Sequence, residues 1–76
     1  MNVTNAVAQR VRELVSTRSI SLYRLEKLSG ILHGTLASIM NGKTKTVTLS
    51  TIIMICEGLN VQVSEFFDSP LFKISD

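Results

Sequence analysis

The sequence predicts an all-α fold, a single bundle of five short helices over residues 1–68 with a tail at 69–76. Apolar residues recur at spacings of three and four, the repeat of a helix that buries one face. Residues suited to capping helices stand at the breaks between these stretches. The β-branched run Thr46–Thr48 is the only strand-like stretch, and nothing else in the chain pairs with it. At 76 residues there is room for one core, and a chain of this size buries roughly 60% of its unfolded surface. An apolar content of 45% supports a globular core, and a charged content of 18% is too low for a disordered segment.

The elements follow in order. Val7, Val11, Leu14 and Val15 lie at i, i+4, i+7 and i+8, one face of a first helix from about Thr4 to Ser16. Thr17-Arg18-Ser19 is a loop. Ser21 is placed to cap the second helix, with Ile20 and Leu25 as a hydrophobic staple across the cap. Leu22, Leu25 and Leu28 form its apolar stripe, and the chain hinges at Ser29-Gly30, where glycine reaches the left-handed conformation that redirects a helix. Leu36, Ile39 and Met40 are the apolar face of a third helix ending at Asn41-Gly42. Residues 43–47 read as a polar loop, and Thr48 or Ser50 caps a fourth helix whose core face is Leu49, Ile52, Ile53, Cys56 and Leu59. Asn60 suits a left-handed C-cap. A short fifth helix at Ser64–Phe67 sets Phe66 or Phe67 against the bundle, and Pro70 opens the tail.

Residues 21–42 therefore form two helices joined by a tight glycine turn. That is the layout of a helix-turn-helix, whose second helix projects into a DNA major groove. The charge distribution fits. Residues 1–49 carry seven Lys or Arg against two Glu, whereas residues 50–76 carry one Lys against four acidic residues. A basic face suits phosphate contact, and ordinary surface solubility is the alternative reading of the same charges.

Other function classes fit poorly. The longest apolar run, Ile52–Cys56, is far short of the ~20 residues of a membrane span. The amino-terminal residues do not have the basic and apolar regions of a signal peptide. The single Cys56 has no disulfide partner and reads as a reduced core residue, so a cytoplasmic protein is expected. With one His, one Cys and no glycine-rich phosphate loop, no catalytic residue, metal site, cofactor or small-molecule ligand is expected.

The ordered series Leu25, Ser29-Gly30-Ile31, Leu36, Ile39, Asn41-Gly42-Lys43, Leu49, Leu59-Asn60-Val61 and Ser64–Phe67 resembles the Cro and phage-repressor (xenobiotic-response-element type) helix-turn-helix family. The resemblance implies a lambda-repressor-like five-helix DNA-binding bundle that reads a palindromic operator on double-stranded DNA as a homodimer. It implies base-edge contacts from His33, Gly34, Ala37 and Ser38. It implies phosphate contacts from Ser21, Leu22, Tyr23 and Arg24 at the second helix, and from Thr35, Asn41, Lys43, Thr44 and Lys45 on the other side of the groove. The chain departs from the family pattern at several positions. Leu22 replaces the usual Gln, Glu26 the usual Ala, Leu32 the usual Ser or Thr cap, and Met40 a common acidic residue. Glu26 must reach solvent or a partner such as Arg10, His33 or the amides that open the recognition helix. Met54, with Leu71 and Phe72, is read either as part of a generous core or as an apolar dimer patch. The functional expectation is a DNA-binding transcriptional repressor, and the alternative is a protein-interaction module such as an antitoxin or anti-regulator subunit.

Overall fold

The computed structural model describes residues 2–74. In chain order, α1 spans Val3–Thr17, α2 Leu22–Ser29, α3 His33–Met40, α4 Leu49–Leu59 and α5 Val63–Phe67, followed by a single 3₁₀ turn at Pro70–Phe72. No strand occurs among the described residues, and Thr46–Thr48 is loop.

Local chemistry sets the boundaries. Asn2, Ser21 and Thr48 each accept a hydrogen bond from the backbone N–H three residues on, at 3.0, 3.0 and 3.2 Å. Such caps satisfy donors that a helix start leaves without an intrahelical acceptor, typically worth about 1 kcal/mol each. At the far ends, Gly30 (φ 75°) closes α2 and Asn60 (φ 57°) closes α4 in the left-handed conformation.

The core is drawn from every helix: Val7 and Val11 of α1, Leu25 of α2, Leu36 and Ile39 of α3, Ile55 and Leu59 of α4, and Phe66 of α5. Two expected core assignments need correction. On α4 the buried stripe is Ile52, Ile55, Cys56 and Leu59, while Leu49 is 61% and Ile53 40% exposed. At about 100° per residue, Ile53 lies well off that stripe, and Leu49 sits at its edge on the helix's first residue. On α2, Leu25 is fully buried but Leu28 is 46% exposed, because a strict three-residue spacing drifts by about 60° per step. Of the two aromatic candidates on α5, Phe66 is the buried one.

Helices α2 and α4 approach closely at Gly58. A Cβ built there would lie 2.8 to 3.0 Å from the Cβ, N and Cα atoms of Ser29. Only glycine lets α4 seat against the end of α2, so Gly58 helps set where the turn into α3 begins. The segment from residue 69 is no free tail as far as it is described. The 3₁₀ turn packs on α1, and the Phe72 ring lies 5.8 Å from that of Phe66 and 4.8 Å from that of Phe67.

Candidate nucleic-acid interface

The turn between α2 and α3 is held by its own side chain. The Ser29 hydroxyl donates to the Leu25 carbonyl (2.7 Å) and accepts from the Ile31 N–H (3.2 Å), while the Gly30 N–H bonds the Glu26 carbonyl at 3.0 Å. Ile31 is buried immediately after the turn. Leu36 and Ile39 then anchor α3 to the core, so the opposite side of the helix faces outward. His33, Gly34 and Thr35 are exposed, and Ala37 and Ser38 half-buried.

At its amino end α3 has no side-chain cap, because Leu32 occupies the cap position and is 75% exposed. A different contact organises this end. The Glu26 carboxylate reaches across the turn to His33, with Oε2 2.8 Å from Nδ1. Of the partners open to Glu26, His33 is the one it takes.

The carboxyl end of α3 is tied down by local bonds. The Asn41 Oδ1 accepts from the Lys43 N–H at 3.0 Å, and Gly42 adopts φ 76°. The Lys43 and Thr44 amides both bond the Ser38 carbonyl, at 3.0 and 3.3 Å. The Thr44 hydroxyl donates to the Thr46 carbonyl at 2.9 Å. Lys43 and Lys45 are exposed on this loop. Between α3 and the loop lies an open concavity of about 660 Å³, lined by Leu32, Ile39 and Val47 together with Thr35, Ser38 and Thr46. The amino end of α2 carries the remaining candidates. There Ser21 caps the helix, Tyr23 and Arg24 are exposed, and Leu22 is half-buried against the core.

A sequence profile of the Cro/C1-type helix-turn-helix DNA-binding domain matches residues 10–70. The chain belongs to the Cro/C1-type helix-turn-helix family. It is 33% identical over 63 residues to control protein C.SmaI of Serratia marcescens, an alignment covering 83% of this chain and 74% of that protein. No solved structure matches it significantly. As a Cro/C1-type domain the chain is a DNA-binding transcriptional regulator, of a family of regulators rather than enzymes. No described helix is long and apolar enough to cross a membrane.

Within this Cro/C1-type domain, part of the basic half has a structural use that the sequence did not reveal. Arg10 donates to the Phe66 and Glu65 carbonyls (both 2.8 Å), closing the end of α5, and pairs with Glu13 at 3.2 Å. Arg18 donates to the Leu59 carbonyl (2.7 Å) at the end of α4. Arg12 donates to the Met40 carbonyl (2.9 Å), fastening the end of the recognition helix to α1. Cations near a helix carboxyl end also complement its dipole. In residues 1–49 the exposed cations that cap no helix end are Arg24, Lys27, Lys43 and Lys45, Arg12 being exposed but bonded to Met40; the Lys27 ammonium lies over the Tyr23 ring at 5.1 Å. Sequence reasoning missed the three arginine caps because each joins residues at least 28 apart. It did flag Glu26, through its departure from the family pattern.

The three residues read as a dimer patch are each half-buried. Met54 is half-buried on α4, Phe72 stacks with Phe66 and Phe67, and Leu71 lies beside Asn2, Asn5 and Ala6 of the α1 end. The more exposed apolar residues of α4 are Leu49 and Ile53, one turn apart.

Proposed function

We propose that the chain is a cytoplasmic repressor that binds a palindromic operator as a homodimer. The observation that carries this reading is the solvent-facing side of α3 in a Cro/C1-type domain, in a chain that also exposes the cations Arg24, Lys43 and Lys45. On that side His33 and Ser38 hydrogen-bond base edges, Ala37 meets a thymine methyl, and Gly34 allows close approach of the backbone. Across the groove from each other, two groups grip phosphates. Ser21 and Leu22 act at the opening of α2, Leu22 through its N–H because its side chain packs inward. Tyr23 and Arg24 act beside them. On the far side Thr35, Lys43, Thr44 and Lys45 face the backbone, and Asn41 contributes its amide NH₂, its oxygen being occupied by Lys43.

The dimer is assigned to Met54, Leu71 and Phe72, whose partial exposure leaves apolar surface for a second copy. A control function like the one the name of C.SmaI states for that protein fits the same reading. Selection from random duplex DNA tests it. The expected product is a site of two inverted half-sites about one helical turn apart. Enrichment of no symmetric site, with tight capture of a partner protein in place of DNA, would support the interaction-module reading instead.

A further inference from the structure

We propose that Glu26 is a specificity-positioning residue, holding the His33 imidazole in a single presentation to the DNA. This rests on His33 reading a base edge, as argued above.

The two groups are unlike in exposure. The Glu26 side chain is 15% exposed and the His33 side chain 80%. A carboxylate so far withdrawn from water needs a donor, and His33 Nδ1 at 2.8 Å is the donor that the structure gives it. The carboxylate only accepts, so the proton of this contact sits on Nδ1. Two consequences follow. The ring can no longer turn freely about its bonds, because one edge is fixed across the turn. In the neutral ring the other nitrogen, Nε2, becomes a pure acceptor. An acceptor in the major groove matches the adenine N6 or cytosine N4 amino group and is repelled by guanine N7 and O6.

The contact also compensates for what α3 lacks. Leu32 offers no side-chain cap, and the first turn of α3 contains no acidic residue of its own. His33 is the first residue of that helix, so the bond through Nδ1 brings a carboxylate to the end where a negative charge is favoured. The histidine in turn covers a charge that would otherwise stand unpaired beside DNA phosphates. Glu26 thus acts through His33 and touches no base.

The test has one arm without DNA. Nitrogen-15 spectra of the neutral His33 ring should show the proton on Nδ1 in the native protein and in Glu26→Gln, whose amide oxygen accepts the same bond. In Glu26→Ala the proton should move toward Nε2. A native ring protonated on Nε2, or one indifferent to Glu26→Ala, would overturn the assignment whatever the protein binds. The second arm repeats the DNA selection. His33→Ala should erase the preference at one base pair of each half-site, a loss of roughly fivefold for one hydrogen bond. Glu26→Ala should erase the same preference, Glu26→Gln should keep it, and the double variant should match His33→Ala alone. If Glu26→Ala retains the full preference that His33→Ala removes, Glu26 positions nothing. If His33→Ala changes no preference while the spectra behave as expected, the base-reading role of His33 fails and the pairing survives.

Discussion

Replacing Gly58 by alanine tests the packing that sets the origin of the turn. The new methyl would stand 2.8, 2.9 and 3.0 Å from the Cβ, N and Cα atoms of Ser29, where ordinary contacts begin at 3.4 Å. Two of these atoms are backbone, so no rotamer change relieves the clash and α4 must move away from α2. Overpacking of this kind costs about 1–3 kcal/mol. Alanine returns up to ~1 kcal/mol as the better helix former, leaving a net loss of about 0–2 kcal/mol, or about 1–3 kcal/mol relative to an alanine that meets no clash. For a domain of this size each kcal/mol shifts Tm by roughly 4–8 °C. Thermal and urea unfolding followed by circular dichroism would read it. Gly34→Ala is the internal control, because nothing lies within 4 Å of its added Cβ and propensity alone should stabilise it by up to ~1 kcal/mol. A Gly58→Ala protein as stable as Gly34→Ala would refute the close approach of the two helices.

Other consequences can be checked in the same way. The buried Thr4 hydroxyl has no hydrogen-bond partner, so Thr4→Val should raise stability by about 1 kcal/mol in urea unfolding. Arg12→Ala frees the Met40 carbonyl and should weaken operator binding while leaving its salt dependence unchanged; Lys43→Ala should lower the log–log salt slope by about 1. Burial pushes the Cys56 thiol up from its ordinary 9.0, and a thiol reagent at pH 8 should label it only after unfolding. The same shift has a sign. Above pH 9 the unfolded chain loses this proton before the folded one, so stability from this group falls as pH rises further, readable as a falling urea midpoint.

The parts of the fold written in local chemistry were legible in the sequence. Ser21, Gly30 and Asn60 act within one helix turn of themselves, and each takes the expected cap conformation. Which residue of a neighbouring pair is buried was less legible. Ile53 and Ile55 are chemically alike, and within an apolar run the i, i+3, i+4, i+7 spacing of Ile52, Ile55, Cys56 and Leu59 is what selects Ile55. The arginines show a limit from the side of charge. Composition counts Arg10, Arg12 and Arg18 as a basic surface, whereas carbonyls from distant helix ends claim all three. At the candidate site, the outward face of α3 followed from the spacing of Leu36 and Ile39. The pairing of Glu26 with His33 required the turn geometry to choose among several partners.

The most direct test of the account is amide chemical-shift mapping on titration with the selected operator. The largest changes should fall at His33, Gly34, Ala37 and Ser38, with further changes at the start of α2 and at Lys43 to Lys45. The α5 surface around Glu65 and Asp68 should stay still. Changes centred on α5, with the outward side of α3 unmoved, would contradict it.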